Sequence, residues 1–374
     1  MEIEQEDEKE KERKKETEET IIPSFSFFDK ITNCHSDTIT SISFTSSNSQ
    51  IKLLATGSND KFIKIFDINT SNLSTINLSK PQKNSEESSI FKEKWKYQYH
   101  IFGINKIKFS SDNKYLLSGG NDCQVNIVDL NSQNLLRNFR LESIVTSLDI
   151  NYANNILAVG TYDYLMYLFD IRTRNCICKM ICHSEPITDV KFSQDSTVIY
   201  STSYDSFFRV WDLFRFSPLK TLSLEHSPAI NNVILLDNEN YVLLNNFNSS
   251  LEIVDVVNEE QIKKFWGNKH NNFCTDCCLY NCEKRGKKFD LILTGDEEGN
   301  ICYYDVKEDG AKCNKISVKD KIKYDNENNN DKMPIVVNCL DIFKNKEFND
   351  NQNDIIACSV MGDLNNSVLL FKQV

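Results

Sequence analysis

The sequence predicts an all-β protein of the seven-bladed β-propeller class, and three observations support this. A unit of about 40 residues repeats along the chain, which is the period expected when each repeat forms one blade. Inside the unit, apolar and polar residues alternate in short runs, as in strands with one buried face. Short turns rich in Ser, Asp and Asn separate the runs. Seven such units, together with inserted loops and an N-terminal tail, account for the 374 residues without a second domain.

The clearest copy of the unit is residues 183–213, HSEPITDVKFSQDSTVIYSTSYDSFFRVWDL. It begins with a His, turns at SQDS and SYDS, and ends on a Trp-Asp pair that is typical of propeller blades. A His, a small hydroxyl, the turn Asp and the Trp can join in one hydrogen-bonded chain, so that each buried polar group has a partner. We expect this structural tetrad to consist of His183, Ser201, Asp205 and Trp211.

The other units are recognised by their first and last residues. Every histidine of the chain begins a unit: His35, His100, His183, His226 and His270. Most units end on an aspartate: Asp67, Asp129, Asp170, Asp212, Asp255 and Asp305. The seventh unit starts near Met333 and supplies only three strands. We therefore predict that SFSFFDKIT (24–32) adds its fourth strand and closes the ring, which leaves only short strand edges.

Composition divides the chain into a tail and one folded domain. Residues 1–23 are mostly charged and cannot form a core, so they are predicted to be a disordered tail. Residues 24–374 are predicted to form a WD40-type propeller. Three polar inserted loops are expected within it, at 71–98, 307–331 and 344–354.

Composition also bounds the compartment and the partners. No apolar leader follows Met1 and no apolar run reaches about 18 residues, so we expect neither a secretion signal nor a membrane span. Thirteen cysteines, an odd number, are expected to be free thiols in a reducing compartment. The net charge of −11 argues against direct binding of nucleic acid.

The sequence lacks the usual motifs for catalysis and for cofactors. It has no GxxxxGK or GxGxxG phosphate loop and no GxSxG nucleophile elbow, so we expect no enzyme activity and no cofactor. One cluster, Cys274, Cys277, Cys278 and Cys282, leaves a zinc site open as an alternative. Because zinc-binding pairs usually come as two separated knuckles, we interpret these residues as small thiols on the first strand of the sixth blade.

Several segments resemble one particular group of WD40 proteins. They are HSEPITDVKF, YSTSYDSFFRVWD, SPLKTL (217–222), DNENYVLL (237–244) and LILTGDEEGNICYYD (291–305). The group is the WD40-repeat scaffold subunit of COMPASS-type (Set/MLL) complexes, which methylate the fourth-position lysine of histone H3. The resemblance implies a nuclear, monomeric scaffold without activity of its own. Its partners would be the Set-type catalytic subunit, the core companions of that subunit and the histone H3 tail.

In that family, one end of the central channel holds an arginine between two Phe rings, which suits a flat cation. The resemblance puts those ring positions on Thr146 and Asp276, so the clamp is lost, although Asp276 could still pair with an arginine. Tyr162 and Tyr204 keep an aromatic rim. The remaining channel-mouth positions that the resemblance implies are Thr40, Asn59, Asn105, Asn121, Thr188 and Cys274.

The second family surface is a groove between blades five and six that grips a short acidic and apolar peptide. The resemblance places this groove on Asn238, Tyr241, Ile253 and Leu279. Ordinary strand packing is an alternative explanation for Ile253 and Leu279, and a core position is one for Tyr241.

The first functional hypothesis is therefore a nuclear scaffold that positions the catalytic and core subunits of a histone H3 lysine-4 methyltransferase complex. The alternative is a WD40 adaptor of another assembly, either a ubiquitin-ligase substrate receptor or an RNA-processing particle, with the cytoplasm as the alternative location. The lost arginine clamp favours this alternative.

Overall fold

A computed structural model describes most of the region predicted to be the propeller. The described residues are 23–46, 51–69, 90–223, 229–236, 239–269, 273, 275–284, 287–308, 313–319, 335–344, 354–362 and 366–373. The predicted tail therefore lies outside them, apart from Pro23, and so do Asn238 and Cys274. No helix in these stretches has the length and apolar character that a membrane crossing requires.

The described residues form 28 strands in seven antiparallel sheets of four strands, which confirms the predicted propeller. Blades 1–4, each given from its inner to its outer strand, contain β2 (Ile39–Phe44), β3 (Leu53–Ser58), β4 (Ile63–Ile68) and β5 (Phe91–Tyr97); β6 (Ile104–Phe109), β7 (Tyr115–Gly120), β8 (Gln124–Asp129) and β9 (Asn134–Arg140); β10 (Val145–Ile150), β11 (Ile156–Thr161), β12 (Leu165–Asp170) and β13 (Cys176–Ile181); β14 (Ile187–Phe192), β15 (Val198–Ser203), β16 (Phe207–Asp212) and β17 (Ser217–Ser223).

Blades 5–7 follow the same order. They contain β18 (Ile230–Leu235), β19 (Tyr241–Asn246), β20 (Ser250–Asp255) and β21 (Glu260–Trp266); β22 (Cys277–Lys284), β23 (Lys287–Gly295), β24 (Asn300–Asp305) and β25 (Asn314–Ser317); β26 (Val336–Phe343), β27 (Ile355–Met361), β28 (Val368–Gln373) and β1 (Phe25–Ile31).

The strand before the first unit closes the ring, as the repeat pattern predicts. β1 pairs antiparallel with β28, from Phe25 opposite Gln373 to Ile31 opposite Val368. The ring of Phe25 packs 5.5 Å from that of Tyr303 in blade 6, centroid to centroid. The segment therefore completes blade 7 and also packs against the neighbouring blade.

Two of the expected loops are shorter than predicted. Phe91–Tyr97, inside the loop expected at 71–98, is the outer strand of blade 1 because Phe91 and Tyr97 are buried between blades. Asn314–Ser317, inside the loop expected at 307–331, is the outer strand of blade 6. The loop expected at 344–354 lies mostly outside the described residues.

The hydrophobic core is divided among the junctions between blades. Ile63 and Ile65 of blade 1, for example, pack with Ile104 and Ile107 of blade 2. Because every blade is buried on both faces, the strands carry apolar residues on both sides, and each blade is held rigidly by its two neighbours.

Candidate functional site

The predicted tetrad of blade 4 forms one hydrogen-bonded chain. His183 Nδ1 lies 3.0 Å from the Asp205 carboxylate, and His183 Nε2 lies 2.8 Å from Ser201 Oγ. Trp211 Nε1 donates to the same Ser201 Oγ at 2.9 Å. Burial lowers the pKa of His183 and would raise that of Asp205, but the hydrogen bond and charge of His183 instead lower the Asp205 pKa to about 2. The four residues therefore connect the entry loop, the second strand and the third strand of blade 4 by hydrogen bonds.

Blades 1 and 2 contain related chains that were not predicted residue by residue. His35 bonds Asp60 and Thr56, both at 2.9 Å. His100 bonds Asp122 at 2.9 Å and Ser118 at 2.8 Å. The spacing of 22 to 25 residues from each His to its Asp was the available sequence signal.

Three of the polar residues predicted at the channel mouth join neighbouring blades. Asn105 Nδ2 donates to the Val145 carbonyl at 2.7 Å, and Thr188 Oγ1 donates to the Ile230 carbonyl at 2.7 Å. Thr40 Oγ1 likewise donates to the Ile104 carbonyl. Two residues that the prediction omitted make the same kind of bond to the next blade: Asn231 donates to the Thr275 carbonyl, and Asn338 donates to the Ile39 carbonyl.

Thr146 and Asp276, the positions of the lost arginine clamp, also have partners within the chain. Thr146 donates to the Gly160 carbonyl of its own blade at 3.0 Å. Asp276 of blade 6 lies 3.3 Å from the Lys106 ammonium of blade 2, although these blades are not neighbours in the ring. Burial opposes the charge of Lys106, but Asp276 and then Asp189 outweigh it and raise the Lys106 pKa. The chain thus supplies its own cation to the carboxylate that could otherwise pair with a partner's arginine.

The exposed aromatic side chains of one face form a partial rim around the channel. Tyr162 is 56 % exposed and Tyr204 is 41 % exposed, and the Tyr204 ring lies 5.1 Å from that of Phe247. Phe102, which was not predicted, is also more than half exposed. We call Phe102, Tyr162, Tyr204 and Phe247 the aromatic rim.

Backbone hydrogen bonds hold the turns of the aromatic rim in place, and side-chain hydrogen bonds hold the nearby amides. Tyr162 N–H donates to Ile144 and Tyr204 N–H to Pro186, so the turns after the second strands meet the loops that enter each blade. Asn121 accepts from Asn105 at 2.8 Å, and Asn59 Nδ2 donates to Thr38 at 2.8 Å. The aromatic rim therefore presents rings from several blades on a rigid support.

The residues predicted for the groove between blades 5 and 6 belong to one hydrophobic cluster. Ile253 is only 4 % exposed and packs with Phe265 and Tyr304. Tyr241 and Leu279 pack partly buried against the same cluster. The side chain of Ile253 fills the junction between the blades, which is the strand packing given as its alternative explanation, and the contact of this groove with a peptide stays a prediction.

Three cysteines of the predicted cluster, Cys277, Cys278 and Cys282, lie on β22. Cys277 is buried, donates to Asn232 Oδ1 at 3.5 Å, and has a pKa raised by burial. Twelve cysteines, all that fall within the described ranges, are free thiols. In the part of the chain that the structure describes, no group of three or more His, Cys, Asp or Glu side chains could hold a metal ion.

Two family models match the chain. The N-terminal domain of nucleolar protein 10-like proteins, a β-propeller, matches residues 87–266, and the WD domain, G-beta repeat, matches residues 28–67.

Individual relatives match smaller parts. U3 small nucleolar RNA-associated protein 21 of Saccharomyces cerevisiae is 29 % identical over 32 % of this chain and 13 % of its own length. The WD repeat-containing protein 55 homolog of Dictyostelium discoideum is 25 % identical over 45 % of this chain and 41 % of its own length. COMPASS component SWD3 of Saccharomyces cerevisiae is 25 % identical over 34 % of this chain and 46 % of its own length.

The chain thus spans less than half the length of each of these relatives. These similarities do not support a specific identity as a COMPASS subunit, because one such relative stands among nucleolar and other WD proteins. The repeat match and the seven four-stranded blades lead to a coarser conclusion: this chain is a seven-bladed β-propeller with WD40 repeats.

Proposed function

We propose that the chain is a non-catalytic WD40 adaptor of an RNA-processing assembly in the nucleolus. The observation that carries this proposal is the match of residues 87–266, which include blades 2 to 5, to the N-terminal domain of nucleolar protein 10-like proteins. The similarity to a U3 small nucleolar RNA-associated protein supports the same location. The proposal therefore adopts the alternative hypothesis, an adaptor of an RNA-processing particle, in place of the first hypothesis, a scaffold of a methyltransferase complex.

The aromatic rim is the surface that we propose for partner proteins. Its four rings are partly or largely exposed, and aromatic residues are enriched where protein interfaces gain most of their binding energy. The backbone hydrogen bonds of Tyr162 and Tyr204 to the entry loops of their own blades fix these turns before a partner arrives. A preorganised surface loses less conformational entropy on binding, which suits a scaffold that positions peptides.

The titratable groups support a role without catalysis. Asp60 and Asp205 have pKa values lowered to about 2, and both are held by the histidine of a tetrad. Asp276 is neutralised by Lys106. The two carboxylates with lowered pKa values are part of the scaffold and Asp276 is paired, so none of the three is an obvious acid or base in a substrate cleft.

A second candidate is the scaffold of a histone H3 lysine-4 methyltransferase complex, with Set-type subunits and the histone H3 tail as partners. It is favoured by the partial similarity to COMPASS component SWD3. The pairing of Asp276 with Lys106 counts against the family's arginine site, because a partner's cation would have to displace one that is already bound.

The proposal is tested by capture of partner proteins on a tagged full-length chain. We expect Tyr162→Ser combined with Tyr204→Ser to reduce the recovery of nucleolar RNA-processing proteins at least about tenfold, as the loss of two interface aromatics should. The matched control is Val257→Ser, which changes a 59 % exposed side chain on a turn after a third strand. Equal recovery with the wild type and with the double variant would contradict the proposed surface.

A further inference from the structure

The turns between the third and fourth strands share one backbone shape in blades 2 to 5. Each turn contains a residue with positive φ in the left-handed region: Gln133, Arg174, Phe216 and Glu259. Each follows an aspartate that accepts turn N–H groups: Asp129, Asp170, Asp212 and Asp255. The scaffold of the turn is therefore constant, and its outward side chains are free to differ between blades.

In blades 3 and 4 these turns expose arginines and aromatic rings. Arg172 and Arg174 are exposed in blade 3. In blade 4, Phe214 is 76 % exposed, and Phe216 adopts a φ of 51° while 38 % of its surface stays exposed. A bulky residue with positive φ is strained. Because blade 2 uses Gln and blade 5 uses Glu at this position, folding alone does not require an aromatic ring there.

The carboxylates beside these arginines accept hydrogen bonds from backbone N–H groups. Asp170 accepts from Arg172 N–H at 2.8 Å, and Asp212 accepts from Phe214 N–H at 2.8 Å. Arg215 is 3.9 Å from Asp212, a long contact, and its side chain is 81 % exposed. Arg172 and Arg174 form no ion pair with any carboxylate among the residues that the structure describes. Three guanidinium groups are therefore available to a ligand.

A further ring lies on the same end of the blades. Tyr152, in the turn between the first two strands of blade 3, is 71 % exposed. The backbone of that turn meets the arginine turn, because Ile171 N–H donates to the Asn155 carbonyl at 3.0 Å. We call Tyr152, Arg172, Arg174, Phe214, Arg215 and Phe216 the underside patch. It lies on the face opposite the aromatic rim.

We propose that the underside patch binds single-stranded RNA. Bases stack on aromatic rings and on flat guanidinium groups, and arginines also bind phosphates, so rings and arginines one or two residues apart suit this ligand. The net charge of −11, which argues against nucleic acid, is distributed unevenly: residues 1–20 alone hold ten acidic and five basic residues. This inference goes beyond the proposed function, which concerns protein partners on the opposite face.

The test is fluorescence anisotropy of a labelled 15-nucleotide oligouridylate with the full chain at about 150 mM salt, the physiological ionic strength. We expect a dissociation constant of about 10⁻⁴ to 10⁻⁶ M, the range of non-specific electrostatic binding. Phe214→Ala combined with Phe216→Ala should weaken binding at least about tenfold, since each stacked base contributes about 1–3 kcal/mol. Changing Arg172, Arg174 and Arg215 to Gln should lower the slope of log K against log salt by about 2, at about 0.7 per phosphate.

Matched controls separate the patch from general surface effects. Asn131→Ala with Gln133→Ala alters the equivalent turn of blade 2 and should leave RNA binding unchanged. Melting temperatures of all variants are compared, so that a loss of binding is read only from folded protein. Absence of RNA binding by the wild type, or equal binding by wild type and the Phe variant, would overturn the proposal. Equally strong displacement of the RNA by a polyglutamate peptide would overturn it as well, and would identify the patch as a site for acidic protein segments.

Discussion

Breaking the ion pair between Lys106 and Asp276 should destabilise the ring from its centre. The two side chains are each 23 % exposed and lie 3.3 Å apart. With an effective dielectric constant of about 20, their Coulomb attraction is about 5 kcal/mol before the cost of desolvation. Removing one partner of a fully buried pair costs about 3–5 kcal/mol. Because water still reaches this pair, we expect Lys106→Met to cost about 2–3 kcal/mol.

A double-mutant cycle isolates the interaction from other effects of each substitution. Urea unfolding is measured for the wild type, Lys106→Met, Asp276→Asn and the double variant. We expect a coupling free energy of about 1–3 kcal/mol, the range for residues in one network. The control cycle uses Lys179 and Glu142, which lie 2.6 Å apart but are 39 % and 75 % exposed, and should give less than about 0.5 kcal/mol. Equal coupling in the two cycles would refute the reasoning that the pair spans a partly desolvated channel.

Three further predictions concern the tetrad of blade 4 and the strand that closes the ring. Asp205→Asn should lower the free energy of unfolding by about 2 kcal/mol at pH 7, because the pKa of Asp205 is about 2 in the folded protein and 3.8 in the unfolded reference. This contribution is present above about pH 4 and is lost as the pH falls to 2, so a difference between wild type and variant that is unchanged at pH 2 would contradict it. Removal of residues 1–32 should abolish cooperative thermal unfolding by exposing the edge of β28, whereas removal of residues 1–22 alone should not, as differential scanning calorimetry can show. Trp211→Phe should keep the buried ring but lose its N–H donor to Ser201, at a cost of about 1 kcal/mol by urea unfolding; no measurable cost would contradict the role of that hydrogen bond.

The architecture could be predicted because its signals are local and repeated. The phase of the histidines located most units, and the missing fourth strand of the last blade pointed directly to Phe25–Ile31. The outer strands Phe91–Tyr97 and Asn314–Ser317 were missed because they adjoin long polar segments and look like parts of the insertions. The burial of Phe91 and Tyr97 between blades outweighs that local composition, and Ile316 packs partly buried against the cluster that joins blades 6 and 7.

The candidate site could be predicted only in part, because its contacts join distant parts of the chain. Lys106 and Asp276 are 170 residues apart in sequence, and nothing in their local pattern shows that they meet. Thr40, Asn105 and Thr188 were predicted at the channel mouth and lie on inner strands, but their bonds to the next blade depend on the packing of the ring. Phe102 lies in the loop before β6, where the resemblance implied no site position.

The identity of the proteins that co-purify with the tagged full-length chain tests the central claim most directly. The extract is treated with ribonuclease, so that partners held only through RNA are removed, and the captured proteins are identified by mass spectrometry. We predict stoichiometric recovery of RNA-processing proteins of the nucleolus. Recovery of Set-type methyltransferase subunits in their place would contradict the proposed assembly.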